Sequence, residues 1–365
     1  MFHPRNFIAG RGYSGPGFAA ACLLCVLAAG GAVRQNLLPQ GADFSGLDRF
    51  LELTAVLEKD KEPAKELWDA MFATPGYAVL LRNEFQRDYF VERFRLAFMP
   101  SRAEACNEQM KKETGLRAKN LPHYVRVKAM RGAIERWRAE QRPDEVYAEA
   151  SRKAGSFLPE GGVSGLPDVS FVIFAPDARG YDPIVLDALY CMGKGGALAD
   201  LVGHEFHHYY RNRLVDLTQD QATLGIINQI HAEGIADLID KAGWTRKPAA
   251  ELAADEAAFV KLVRETPAVF KIMDDLLARM DGMKTGRFSL GNELRKAVPQ
   301  SGHPTGLYMA MLIDEELGRK ALVGVSLDPF GFFRLYQQAA VKRGGETPRF
   351  SDKALAFLDR LAACR

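Results

Sequence analysis

Residues 204–208 read His-Glu-Phe-His-His, an H-E-x-x-H pattern. The pattern constrains the fold because its chemistry works only on a helix. There His204 and His208, at i and i+4, lie on one face and can hold one metal ion. Glu205 beside them can take a proton from water at that ion. His207 points about 100° away from His208 around such a helix, so it cannot share the metal face. It is expected to be structural or to support a ligand. A His204/His207 pair could also reach a metal, but it would leave Glu205 without a role.

Two histidines do not complete such a centre. Catalytic zinc takes three protein ligands and keeps one position open. A metzincin would carry Gly and His at the third and sixth positions after His208. Those positions are Arg211 and Leu214, which excludes that class. A helix is predicted over 220–242, and within it runs His231-Ala232-Glu233-Gly234-Ile235-Ala236-Asp237. Glu233 and Asp237 share a face with Ile226 and Ile230. Carboxylates on an apolar stripe are costly to bury unless they meet a charge or a metal. Glu233 is therefore the expected third ligand, and Asp237 the acceptor for a ligand histidine's other N–H. His231 competes with Glu233. It lies about 200° from Glu233 around the helix, so only one of the two can face the motif helix.

These two stretches carry a resemblance. His204-Glu205-x-x-His208 followed by Glu233-x-x-x-Asp237 resembles the gluzincin, or thermolysin-like, zinc metallopeptidases. Gly203 to His208 with His231-Ala232-Glu233-Gly234 is also similar to a bacterial family of uncharacterised proteins assigned as zinc-dependent peptidases. The resemblance covers about 165–315 and is specific at the two motifs. It implies a zincin-like core, a Zn2+ cofactor and a peptide or protein substrate. The substrate would pair along a strand beside the motif helix, one of 169–175 or 183–189. It further implies a downstream His or Tyr that stabilises the oxyanion. His303 and Tyr308, in Ser301-Gly302-His303-Pro304-Thr305-Gly306-Leu307-Tyr308, are the candidates. Tyr209 and Tyr210 read as packing residues. The expected activity is peptide-bond hydrolysis with Glu205 as general base. The same site would also serve a zinc amidase or deacylase of the cell envelope. A non-catalytic zinc-binding protein is a third reading, against which the presence of Glu205 counts.

The rest of the chain reads as α+β and mostly helical. From 45 to 158 apolar residues recur at helical spacing, as in Tyr89, Phe90, Phe94 and Phe98. Pro63, Pro75, Pro100, Pro122 and Pro143 punctuate this run at or near helix ends. Its charges are of mixed sign, which reads as solvated helix faces rather than a basic patch. The Gly/Pro-rich stretch 160–168 marks a boundary. Residues 169–174 and 183–189 read as strands, 176–180 as a turn, and 193–196 as a glycine loop into the motif helix. Further helices are predicted near 250–264, 267–282, 305–322, 329–341 and 352–363. The expected organisation is 1–32 as a signal peptide or N-terminal anchor, 33–44 as linker, 45–165 as a helical region, and 166–365 as a zincin-like metallopeptidase region.

Arg5 and Arg11 precede an uncharged apolar run, Phe18 to Ala32, that ends in small residues. This reads as an export signal, giving a periplasmic or secreted protein. Retention of the segment, or lipidation at Cys22, would instead anchor the chain to a membrane facing outward. The formal charge is +2. Loss of the first 32 residues removes two arginines and no acid, so the remainder is neutral. Nothing in this balance suggests a nucleic-acid partner. The five cysteines include Cys22 and Cys25 within the signal. The other three are scattered, so no disulfide framework is visible.

Overall fold

The computed structural model describes residues 41–114, 116–215, 222–283 and 285–363. The expected signal segment, Cys22 and most of the linker lie outside these residues. Helices make up most of the described chain. Among the described residues, no helix is long and apolar enough to cross a membrane.

Four short strands form one sheet: β1 (Ala42–Asp43), β2 (Val169–Val172), β3 (Ala178–Arg179) and β4 (Ile184–Asp187). Their order is β1-β2-β4-β3. β2 and β4 run parallel, with Val169 opposite Ile184 and Val172 opposite Asp187. β1 adds in parallel to β2, and β3 lies antiparallel on the outer edge of β4. Every residue of β2 and β4 is buried, as expected of parallel strands covered on both faces. Alternation along the strands separates two cores. Val172 and Val185 face the N-terminal helices, in a cluster that runs from Leu47 to Leu189. Val169, Phe171, Ile184 and Leu186 face Ala150, Val202 and Phe206, which places the motif helix on the opposite side. The N-terminal helices and the sheet thus share one core.

Both predicted strands form. They are the interior strands, however, so neither 169–175 nor 183–189 offers a free edge beside the motif helix. That edge is β3, within the segment expected to be a turn. A two-residue strand carries no periodicity for a sequence to display. The prolines behave as expected, with Pro75 and Pro143 opening the helices Pro75–Asn83 and Pro143–Gly155. Pro267 does not. The helices expected at 250–264 and 267–282 are one helix, Ala254–Met280, with Pro267 inside it. Phe259, Val263, Phe270, Met273 and Leu277 are buried along its length, and this continuous stripe outweighs the local cost of the proline, roughly 3 kcal/mol. The helix Arg287–Ala297 shows no clear apolar stripe in the sequence, because only Leu290, Gly291 and Leu294 are buried in it.

One side chain joins the sheet to the helices on both sides. Asp187 is fully buried at the end of β4. Its Oδ2 accepts from the Phe174 N–H at 2.9 Å and meets His123 Nε2 at 2.9 Å. Its Oδ1 accepts from the Tyr190 N–H at 2.9 Å and so caps the short helix that leads toward the motif. Tyr77 and Tyr124 add hydroxyl bonds to the carbonyls of Ile173 and Phe174, at 2.8 and 2.5 Å. Removing the carboxylate would leave the Phe174 and Tyr190 N–H groups and the buried His123 without this partner. Asp187→Ala is expected to cost about 3–5 kcal/mol of stability, read as a lower urea midpoint at unchanged slope. A loss under 1 kcal/mol would contradict this role.

Candidate metal centre

The centre is built from three helices. The motif helix is Leu198–Leu214, with Asp200 in its first turn and Arg211 and Arg213 in its last, charges that suit the helix dipole. The second helix, Ala222–Asp240, buries Ile226, Ile227, Ile230 and Ile235 against the C-terminal core. Its acidic residues Glu233, Asp237 and Asp240 fall at i, i+4 and i+7, on one face. The third, His303–Leu317, begins after three residues with positive φ: Gln300 at 46°, Ser301 at 54° and Gly302 at 100°. Two glycines bring this helix against the second. A Cβ on Gly234 would sit 2.3 Å from the Gly306 carbonyl carbon, so no larger residue fits at this crossing. The close approach sets His303, at the helix start, beside Asp237.

Three side chains converge. His204 Nε2 lies 3.0 Å from His208 Nε2, and Glu233 Oε2 lies 3.0 Å from His208 Nε2 and 3.4 Å from His204 Nε2. Tetrahedral zinc with bonds of ~2.0–2.1 Å separates its ligand atoms by about 3.3 Å. The triangle therefore fits a zinc ion with three protein ligands. A wider group substitutes Asp237 and His303 for His208, with one ligand-capable atom of each residue within 4.8 Å of the others. In it, His303 Nδ1 already bonds Asp237 Oδ1 at 3.0 Å and Oδ2 at 3.1 Å. The tighter trio is the better fit.

The surrounding bonds differ from expectation in one respect. The nearest acceptor for His204 Nδ1 is Asp240 Oδ1, at 3.0 Å. Asp237 Oδ1 is 3.5 Å away and serves His303 instead. Asp240 lies beyond the His231–Asp237 stretch, although its spacing from Glu233 and Asp237 puts it on their face. Lys241 Nζ then bonds Asp237 Oδ1 at 2.8 Å and Asp240 Oδ2 at 2.7 Å.

The remaining histidines are placed elsewhere. His231 receives a bond from Arg211 at Nδ1 (2.9 Å) and donates from Nε2 to the Val325 carbonyl (2.9 Å), so it is committed away from the centre. His207 is fully buried, and neither ring nitrogen has a hydrogen-bond partner among the described residues. Tyr308 packs against Phe270 and Tyr336 in the C-terminal aromatic core, away from the histidine cluster. His303 does reach the centre, its ring stacked 5.8 Å from His204. Tyr210 is buried and donates to the Gly165 carbonyl, a packing role.

Burial and charge set the protonation states. Burial raises the Glu205 carboxyl above the usual range, and the charges of Glu233 and Asp177 add to this against the opposing histidines. Burial also acts against the charge on Glu233, yet His208, His303 and His204 hold its carboxyl well below the usual range. For His204, burial and Lys241 oppose the imidazolium, but Asp240 and Glu233 outweigh them and raise it well above its ordinary value. Asp237 and Glu233 likewise raise His303 against the effect of burial. Burial drives His207 well below its ordinary value, so it stays neutral.

The Gly180 backbone, next to β3, closes one side. A Cβ there would meet Glu205 Oε2 at 3.2 Å and His208 Cβ at 3.1 Å. The backbone just after β3 therefore runs directly against the motif helix at Glu205 and His208.

Fold and site together define a mostly helical α+β protein with a candidate metal centre of two imidazoles and a carboxylate. The chain belongs to the family described as "Putative zinc dependent peptidase" (DUF5700), whose model matches residues 68–344. No curated protein and no solved structure matches the chain.

Without metal, the raised His204 is protonated at neutral pH, and it must lose that proton to ligate. Zinc binding at pH 7 is expected to release on the order of one proton, and affinity to fall as the pH drops. Calorimetric titration in two buffers of different ionisation heat reads the number directly. Identical heats in both buffers would contradict the assignment.

Proposed function

We propose that this chain is an exported zinc metallopeptidase of the gluzincin arrangement, in which His204, His208 and Glu233 hold zinc and Glu205 is the general base. The observation that carries the reading is the convergence of three ligand atoms at 3.0, 3.0 and 3.4 Å with a buried carboxylate one residue along the same helix. Membership in a family described as zinc-dependent peptidases supports it. Export rests on Arg5, Arg11 and the apolar run 18–32.

Zinc, when bound, supplies Lewis acidity that makes water a nucleophile near neutral pH. Glu205 takes the proton of the attacking water and returns it to the leaving amine. Its raised carboxyl suits both steps, because a carboxyl shifted upward accepts the proton more readily than an ordinary one and can still give it up. Water attack on the substrate carbonyl places negative charge on its oxygen. His303 is the donor for that charge: Asp237 accepts from its Nδ1–H and favours the imidazolium, whose second N–H, at Nε2, can then donate. The antiparallel edge β3 receives the substrate main chain in exchange for the bonds that the Asp177 and Arg179 side chains make to the Ala178 N–H and carbonyl, which favours a peptide without specifying its side chains.

Two variant sets test this reading. Glu205→Gln is expected to keep stoichiometric zinc and lose hydrolysis of a quenched peptide library by roughly 10²–10⁴-fold. A variant that cleaves as fast as the parent would overturn the mechanism. His303→Ala is expected to lower kcat by about 10²–10³-fold with zinc content unchanged. Tyr308→Phe should leave kcat near the parent value, and a comparable drop there would transfer the oxyanion role to Tyr308.

A further inference from the structure

Lys241 follows the last residue of the helix Ala222–Asp240, and its backbone N–H bonds the Asp237 carbonyl at 2.8 Å. Its side chain is only 16% exposed. The ammonium bridges two carboxylates, Asp237 Oδ1 at 2.8 Å and Asp240 Oδ2 at 2.7 Å. Each carboxylate passes the contact on to a different imidazole. Asp240 Oδ1 meets His204 Nδ1 at 3.0 Å, and Asp237 holds His303 Nδ1 at 3.0 and 3.1 Å. Among the described residues, no other lysine or arginine bonds Glu233, Asp237 or Asp240.

The arrangement needs a cation. Two carboxylates one turn apart repel each other, and both lie in the final turn of a helix, where the dipole is also negative. Burial removes the water that would screen them. Either carboxylate could relieve this repulsion by rotating away, and the imidazole it holds would then lose its orientation. A histidine that can turn about its ring axis is a poorer ligand, because its second nitrogen fixes which atom faces the metal. Lys241 removes the motive for rotation on both branches at once. The charges of Asp237 and Asp240 in turn raise the ammonium well above its ordinary range against the effect of burial, which keeps the bridge charged.

We propose that Lys241 is a positioning residue for the centre: by pinning Asp237 and Asp240 together, it aims His204 at the metal and His303 at the substrate. The proposal rests on the zinc peptidase reading above. It assigns to one residue outside both motifs a joint effect on metal affinity and on turnover.

The test uses the full chain with zinc, comparing the parent with Lys241→Met, Lys241→Gln, Lys241→Arg and Asp240→Asn. Zinc affinity is measured by competition with a chromophoric chelator, alongside kcat and KM on a peptide the parent cleaves. Lys241→Met is expected to weaken zinc binding about 10–100-fold and to lower kcat while KM stays near the parent value. Lys241→Arg, which keeps the charge, should recover most of both. Lys241→Met combined with Asp240→Asn should bind zinc no more weakly than the poorer single variant, since both act on the same imidazole. Lys241→Gln carries the same expectation if the Met variant does not fold by circular dichroism. Parent-like affinity and kcat in Lys241→Met, or additive losses in the double variant, would overturn the positioning role while leaving the zinc reading intact. A parent that takes up no zinc would overturn both.

Discussion

The centre depends on burying several like charges at one crossing of three helices. Glu233, Asp237 and Asp240 project from a single helical face into a region closed by the motif helix and by the helix that begins at His303. Such a cluster is strongly unfavourable unless cations meet it. The imidazoles of His204 and His303 and the ammonium of Lys241 meet these carboxylates as cations, and the His208 ring contacts Glu233, each within 3.0 Å of a carboxylate oxygen. In the absence of metal, the raised imidazoles of His204 and His303 supply positive charge beside the carboxylates. The same geometry therefore serves two states, and metal binding exchanges with protons rather than filling a preformed neutral cage.

The rest of the fold holds the crossing in place. The motif helix cannot shift because its apolar side packs on the sheet through Val202 and Phe206. The sheet in turn is fixed to the N-terminal helices through Asp187, His123, Tyr77 and Tyr124, all at or near the ends of β2 and β4. The N-terminal helices are therefore part of what orients the centre. The family match begins at residue 68, within them. On the far side, the Gly234–Gly306 contact brings two helix backbones together with no side chain between them. That contact lets His303 reach the carboxylates of a helix it does not follow in sequence.

The active face combines two orderings of backbone. Helices supply the rigid side chains, and the short antiparallel edge β3 leads into the Gly180 backbone beside Glu205 and His208, with the Ala178 N–H and carbonyl held by the Asp177 and Arg179 side chains. Natural sheets keep exposed edges short to avoid pairing with other chains. His207 stands apart from this economy. It is a fully buried imidazole with neither nitrogen bonded among the described residues, and nothing in the structure explains why it is a histidine.

The sequence by itself determined the parts whose chemistry depends on local spacing. The i, i+4 histidines, the adjacent glutamate, and the Glu233/Asp237 face on an isoleucine stripe all follow from the helix period. So did the two interior strands, whose burial on both faces leaves a continuous apolar run. Tertiary structure alone decided which partner each polar group takes. Asp240 rather than Asp237 meets His204, Arg211 and Val325 claim His231, and Tyr308 is taken into the aromatic core. It also decided that the helix at Ala254–Met280 runs through Pro267, and that the edge beside the centre is β3. Helical period fixes which residues share a face, because that geometry is internal to one segment. Which face meets which, and at what distance, depends on how closely two backbones approach. Here that distance is set by contacts such as Gly234 on Gly306, between residues 72 positions apart in the chain.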